Sequence, residues 1–247
     1  MKKLTLLFIL LAVISLALSA QESSDSAWRS ANKPMVIVTN LGTEGMDVMI
    51  GDEDDTVFYT YDLSEFDTTA LTPVDYSGTY NLYCMYPDDD DWSLMVNEGT
   101  DDPYTVTLQD GKVLGLVITP DNIVYDFELT YKNSGSAKIM FANLTDDYLD
   151  MLEVSNGFGD KDVVWCDGLD DYSLSNFGDA ASGSYNLFWQ TPAQEDDETY
   201  FFYPDDDGEP ELKTVSYGSW YQMMIYTKDG DSYCNFFEIT PKESYTK

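Results

Sequence analysis

Histidine is absent from this chain, and basic residues are scarce. The 247 residues include only 12 Lys and Arg against 46 Asp and Glu, which gives a formal net charge of −34 at pH 7. Without histidine the chain cannot use a Ser–His or Cys–His catalytic pair, a His-ligated zinc ion or the usual proton shuttle near neutral pH. Because an acidic surface repels phosphate backbones and anionic headgroups, we expect neither nucleic acid nor a membrane surface as a partner.

Long apolar runs are also scarce, and the one that stands out is at the amino terminus. Leu4–Leu18 is almost entirely apolar, follows Lys2 and Lys3, and leads into the small pair Ser19-Ala20. This order predicts a secretory signal peptide over residues 1–20, with a retained signal anchor as the alternative. The run is short for a membrane span and nothing comparable follows, so we expect a secreted or periplasmic chain whose mature part does not span the membrane.

No window of ten or more residues after the signal peptide has a 3.6-residue apolar period. Short runs of alternating apolar and polar residues are separated instead by Asp, Gly, Asn and Pro. This pattern predicts an all-β protein. With 43% hydrophobic and 15% aromatic residues, the chain can bury a core despite its charge.

An internal repeat divides the chain. Ser77–Leu82 reads almost like Ser182–Leu187, 105 positions later, and three further pairs of segments correspond in the same order. These pairs are Val36–Leu41 with Ile139–Leu144, Thr107–Ile118 with Thr214–Ile225, and Phe127–Thr130 with Phe237–Thr240. Four ordered matches predict a duplicated β unit whose loops vary in length.

The predicted organisation follows from the repeat. Two tandem β-sandwich domains occupy residues 33–131 and 137–241. Residues 21–32 form a flexible leader, residues 132–136 a linker and residues 242–247 a tail. Alternation places these side chains inward: Tyr80, Leu82, Cys84 and Tyr86; Leu114, Leu116 and Ile118; Tyr185, Leu187 and Trp189; Tyr221, Met223 and Ile225.

Short motifs in both units resemble a known family. The first unit has a strand ending in Asn40-Leu41, a Ser-Gly-Thr-Tyr step at residues 77–80 and a Leu-x-x-Gly-Lys turn at residues 108–112. These resemble the secreted bacterial domain-of-unknown-function family 4397. The resemblance implies immunoglobulin-like sandwiches in tandem and export, and it supplies no catalytic residues. The second unit departs from the pattern, with Ser216-Tyr217-Gly218-Ser219 at the turn.

Acidic runs after the central strand of each unit are the candidate binding residues. They are Asp88, Asp89, Asp90 and Asp91 with the adjoining Trp92, and Glu195, Asp196 and Asp197. Clustered carboxylates could bind calcium weakly, although none of the runs has the order of an EF-hand loop, so no metal ligand is assigned and no other cofactor is expected. The competing interpretation is a hydrated loop that keeps the protein in solution and discourages strand pairing.

Three cysteines are present, and they are widely spaced. Cys84 aligns with Trp189 on an inward face, which predicts a buried thiol. Cys166 and Cys234 both belong to the second unit. Export permits a disulfide between them, and the sequence leaves this pairing open.

The sequence favours a non-enzymatic binding or structural protein of the bacterial cell envelope, with an unknown protein or glycan as partner. The first alternative is a carbohydrate-binding or calcium-dependent adhesion module, for which Trp92 is the best exposed aromatic candidate. Packing or loop anchoring is the favoured interpretation of Trp92 itself. A glycan-active enzyme is less favoured, because nothing singles out two of the 46 acids as a catalytic pair.

Overall fold

The computed structural model describes residues 33–130, 136–155, 163–190, 201–202 and 211–241, apart from residues 43, 53, 54 and 229. This part of the chain contains twenty β-strands and no helix, so the all-β prediction is confirmed. It therefore contains no helix that could cross a membrane. The predicted signal peptide, leader and tail, and most of the predicted linker, lie outside the described residues.

Ten strands belong to the first half of the chain and ten to the second. The first ten are β1 (Met35–Asn40), β2 (Met46–Gly51), β3 (Thr56–Leu63), β4 (Asp67–Thr68), β5 (Thr72–Pro73), β6 (Gly78–Met85), β7 (Ser93–Leu94), β8 (Thr105–Leu108), β9 (Val113–Ile118) and β10 (Val124–Leu129). The second ten are β11 (Ala137–Leu144), β12 (Leu149–Ser155), β13 (Val163–Leu169), β14 (Ser173–Leu174), β15 (Gly178–Ala180), β16 (Gly183–Gln190), β17 (Phe201–Phe202), β18 (Leu212–Val215), β19 (Trp220–Lys228) and β20 (Asp231–Glu238).

Each half forms two five-stranded sheets with the same strand order. The inner sheet of the first half has the order β10-β9-β1-β4, with β5 also on β1, and its outer sheet has the order β3-β2-β6-β7, with β8 also on β6. The second half repeats this plan as β20-β19-β11-β14 with β15, and β13-β12-β16-β17 with β18. The pairs β1–β9 and β11–β19 are parallel, and the other described strand pairs are antiparallel.

The predicted inward faces are confirmed. In the first half, Leu82 and Cys84 of the outer sheet share a buried cluster with Leu116 and Ile118 of the inner sheet. In the second half, Trp189 and its strand neighbours share a cluster with the predicted inward residues of β19. Each half therefore has its own core between an outer and an inner sheet.

A third core, which we call the middle core, lies between the two inner sheets. Met35 and Ile37 of β1 belong to the same cluster as Met140 of β11 and as Trp220 and Met224 of β19. Strands β1, β9 and β11, and most of β19, are consequently buried on both faces. This explains their nearly continuous apolar sequences, because a strand covered on both sides has no solvent face.

Polar contacts also join the halves. The Gln222 amide lies 3.3 Å from the Thr39 hydroxyl within the middle core, and both side chains are buried. The Leu71 N–H also donates to the Ile239 carbonyl at 3.1 Å, and both residues belong to the same core. The halves are therefore in direct contact through an apolar interface, which the prediction of two domains joined by a linker does not include.

The repeated Asn-Leu at the end of the first strand has a structural role. The fully buried Asn40 amide donates to the carbonyls of Glu44, Leu63 and Ser64 at 2.9, 3.0 and 3.2 Å, and its Oδ1 accepts the Gly42 N–H at 2.7 Å. Asn143 repeats the arrangement, because its amide donates to three carbonyls from the equivalent loops. One buried amide thus satisfies the backbone of two loops in each half.

Candidate functional site

The acidic run of the first unit lies in the loop between β6 and β7. Asp88, Asp89, Asp90 and Asp91 are all exposed. The Asp89 N–H donates to the Tyr86 carbonyl at 3.0 Å, so the loop closes on itself. Among the described residues, no group of three or more His, Cys, Asp or Glu is placed to bind a metal ion. Weak calcium binding therefore remains a prediction.

The second acidic run cannot be compared with the first. Glu195, Asp196 and Asp197 lie outside the described residues. The two runs follow strands β6 and β16 in the sequence, and these strands have the same position in the strand order of their sheets.

The Trp92 side chain, unlike the adjoining acidic run, does not extend into solvent. The side chain is half-buried, and its ring packs edge to face against Tyr59 with 5.4 Å between ring centroids. Tyr59 is on β3, at the far edge of the outer sheet from β7. The loop therefore returns Trp92 over the solvent side of the outer sheet.

Large side chains form a row across that solvent side. The register pairs Tyr59 with Met49, Met49 with Tyr83, and Tyr83 with Leu94 across strands β3, β2, β6 and β7. Their neighbours in sequence, such as Phe58 and Leu82, are buried in the first core. Because side chains alternate along a strand, the four residues of the row face away from the core, and all are partly or fully exposed.

A bulge in β3 adds a further ring to the row. The pairing shifts register so that Asp47 faces both Tyr61 and Asp62, and Asp62 has a φ of 50°. The Asp47 carboxylate holds this geometry, because it accepts the Asp62 N–H at 2.8 Å and the Tyr59 hydroxyl at 3.2 Å. Tyr61, which is 63% exposed, contacts the Tyr59 ring edge to face. Bulges commonly re-aim a side chain next to a functional site.

We call this surface the aromatic face and define it as Met49, Tyr59, Tyr61, Tyr83, Trp92 and Leu94. Polar groups border it. The Asn81 amide lies 3.4 Å from the Tyr83 hydroxyl, and an open cavity of about 420 Å³ at one end is lined by residues that include Asp47, Asp62 and Asp89. Exposed apolar surface edged by polar groups is typical of a binding site.

Sequence reasoning identified one residue of the aromatic face. Trp92 was the best exposed aromatic candidate, and the structure gives it three tyrosine neighbours on the same face. Tyr59 and Tyr61 were not singled out, because alternation along Thr56–Leu63 puts them on the same side as the apolar Val57 and Leu63. No local signal marks them as exposed, because the bulge between Tyr59 and Leu63 shifts the phase of the alternation.

Burial controls the ionisation of a tyrosine beside the aromatic face. Burial raises the pKa of Tyr86 to about 12, with a further contribution from the neighbouring Cys84. The Tyr86 hydroxyl stays protonated at physiological pH and donates to the Asn122 side chain. This bond connects the outer sheet to the β9–β10 turn of the inner sheet.

The cysteines are thiols in the structure. The disulfide that the sequence leaves open between Cys166 and Cys234 stays a prediction. The two residues lie on β13 and β20, in different sheets of the second half, and both contact its core. Each Sγ is turned toward a carbonyl of its own strand, that of Gly168 at 3.6 Å and that of Asn235 at 3.8 Å.

We expect thiol labelling to follow this arrangement. Burial raises the pKa of Cys84 to about 11 and also raises that of Cys234, so at pH 8 roughly one Cys84 in a thousand is a thiolate. Since the thiolate is the reactive form, iodoacetamide should modify the half-buried Cys166 first in the native protein. Mass spectrometry should then find three modified cysteines after denaturation without reductant. Modification of Cys84 alone under those conditions would show that the other two form a disulfide.

Comparisons with known proteins give no family. No family model matches the chain, and no curated protein matches it. Among solved structures, a provisionally assigned cell adhesion protein from Bacteroides uniformis matches at 14% identity with a TM-score of 0.28, over 84% of this chain and 98% of that one. The tip fimbrial protein Mfa3 from Porphyromonas gingivalis matches at 10% identity with a TM-score of 0.27, over 84% and 99% of the two chains. Similarity at this level defines neither fold nor function.

Proposed function

We propose that this protein is a non-enzymatic binding or structural protein of the bacterial cell envelope, secreted or periplasmic. The observation that carries the proposal is the aromatic face, an exposed apolar surface on a rigid sheet. An exposed row of large aromatic and aliphatic side chains costs solubility unless a partner covers it. The aromatic face is apolar, whereas the loops that border it are acidic.

The proposal includes two tandem immunoglobulin-like sandwiches as the scaffold, at residues 33–131 and 137–241. Two halves with one strand order, each with its own core, support the duplication. In the immunoglobulin constant layout the first strand shares a sheet with the second. Here β1 pairs with β9 instead, so the likeness concerns the two-layer sandwich and not the order of its strands. The resemblance to family 4397 supports the same scaffold.

Export is the second component of the proposal. Its support is the signal peptide predicted over residues 1–20, which lies outside the described residues. A net charge of −34 argues against nucleic acid and anionic lipid as partners. The mature protein is thus proposed to act beyond the cytoplasmic membrane on a protein or glycan of the envelope.

Fractionation and sedimentation test the proposal together. The full chain, expressed in a bacterial host, should be recovered from the periplasm or medium with its mass reduced by about 19 or 20 residues. The purified mature protein should sediment with isolated outer membrane, cell-wall or surface-polysaccharide fractions. Cytosolic ribosomes are the negative control, and the protein should stay in the supernatant when they are pelleted. Retention of the intact chain in the cytoplasm, or the absence of sedimentation with every envelope fraction, would contradict the proposal.

A further inference from the structure

The aromatic face has the shape and chemistry of a platform rather than a pocket. Tyr59, Met49, Tyr83 and Leu94 lie in one row across four strands, so their spacing is set by the sheet. Trp92 and Tyr61 pack against Tyr59 from the loop and from the bulge. Such an open surface of rings and aliphatic side chains suits an extended ligand that has apolar faces of its own.

Hydrogen-bonding groups lie beside the rings. The Asp47 carboxylate is fixed by two hydrogen bonds and has further lone pairs available, because an ionised carboxylate accepts about four. The Asn81 amide oxygen and the Thr79 and Thr107 hydroxyls lie on the same side of the sheet, toward its other end. The face therefore combines ring surfaces with donors and acceptors at their borders.

Sugars match this combination. A pyranose ring has one or two faces of C–H groups that stack on aromatic rings, and its equatorial hydroxyls point outward to polar groups at the rim. A polysaccharide repeats this unit along a line, as the row repeats its large side chains along the sheet. A lipid bilayer or an apolar peptide would offer no hydrogen-bond donors to the lone pairs of the bordering carboxylates.

The charge around the aromatic face distinguishes between the remaining candidate ligands. Asp47, Asp62 and Asp89 border the face, and the chain carries a net charge of −34. Coulomb repulsion disfavours uronic-acid or phosphate-bearing glycans, and it also disfavours a second copy of this chain across the face. A neutral glycan is not repelled.

We propose that the aromatic face binds a neutral polysaccharide, with sugar rings packed against the exposed surfaces of Tyr61, Tyr59 and Trp92. This inference rests on the proposed function and names its ligand class. Asp47 is a positioning residue, because it fixes both the Tyr59 hydroxyl and the bulge that presents Tyr61. The bulge thereby places the most exposed ring, Tyr61, beside the Tyr59–Trp92 pair.

Affinity electrophoresis tests the inference on the purified mature chain. Native gels contain one of four neutral polysaccharides (mannan, xylan, a β-1,3-glucan or amylopectin) or one of two anionic ones (alginate or polygalacturonate). We expect at least one neutral polysaccharide to retard the protein and the anionic ones to leave its mobility unchanged. Absence of retardation by every neutral polysaccharide, or equal retardation by the anionic ones, would overturn the inference.

Variants locate the site. Tyr61→Ala and Trp92→Ala should each need at least about tenfold more polysaccharide for the same retardation, whereas Tyr61→Phe keeps the ring and should bind as the wild type does. Tyr217→Ala is the matched control, because Tyr217 is 61% exposed in a turn of the second half. Tyr61 is mostly exposed, so its variant keeps the test valid even if Trp92→Ala unfolds. Unchanged binding by Tyr61→Ala would place the site elsewhere and refute the proposal.

Two further results separate the inference from the function on which it rests. If Tyr61→Ala sediments with envelope fractions as well as the wild type does, and neither binds polysaccharide, the inference fails and the proposed function stands. If analytical ultracentrifugation shows a dimer that Tyr61→Ala dissociates, the aromatic face is an interface between copies, and the inference also fails.

Discussion

Asn40→Ala should lower the free energy of unfolding by about 3–5 kcal/mol, because it removes the partner of several buried backbone groups at once. Three carbonyls and one N–H lose their hydrogen bonds to this side chain, and the bonds to the Leu63 carbonyl and the Gly42 N–H are buried. Each unsatisfied buried group costs about 1–3 kcal/mol, and the sum is less than additive. Equilibrium urea unfolding followed by far-ultraviolet circular dichroism measures the loss.

The repeat supplies an internal comparison for this prediction. Asn143→Ala should cost a similar amount, since its amide makes the equivalent bonds in the second half. Asn81→Ala is the matched control, because Asn81 is half-buried and its described side-chain hydrogen bond is a single one at 3.4 Å. We expect it to cost less than about 1 kcal/mol. If Asn40→Ala were no more damaging than Asn81→Ala, the buried amide would not organise the loops.

Trp220→Ala should also cost about 3–5 kcal/mol, and it should weaken the contact between the two halves. Trp220 is 2% exposed, packs edge to face against Phe177 with 4.8 Å between ring centroids, and belongs to the middle core. Its truncation leaves a cavity in a cluster to which both inner sheets contribute. Because the halves share this core, we expect the wild type to unfold in one transition and the variant to unfold in two.

Calorimetry distinguishes this outcome from simple destabilisation. In the wild type the calorimetric and van't Hoff enthalpies should agree, and in Trp220→Ala the van't Hoff value should be the smaller one. Trp92→Ala serves as the control, because it removes the same side chain from a half-buried position on the aromatic face. It should lower the transition temperature less and leave the transition single. Two transitions already present in the wild type would contradict the shared core.

Much of the fold could be predicted from local pattern. Alternation along the segments around Tyr80 and Tyr185 placed Leu82 and Leu187 inward, and both are fully buried. The repeat predicted that the halves would be built alike, and their strand orders are the same. The role of the Asn-Leu pairs was not predicted, because the carbonyls that Asn40 binds lie up to 24 residues away in the sequence.

The candidate site was only partly predictable. The acidic run and Trp92 are adjacent in sequence and were selected together, but the structure directs the carboxylates to solvent and the indole ring to Tyr59. Tyr59 and Trp92 are 33 positions apart, and only the sheet brings them into contact. The sequence favours packing of Trp92, but only the structure shows that Tyr59 is the ring it packs against.

The sequence by itself determined the charge, the absence of histidine chemistry, the strand periodicity and the duplication, because each depends on residue type or on spacing within one segment. The tertiary structure alone decided that the inner sheets pack together and that a row of large side chains crosses the outer sheet. Both depend on which strands pair and in which register, and register is a relation between distant segments that no local pattern encodes.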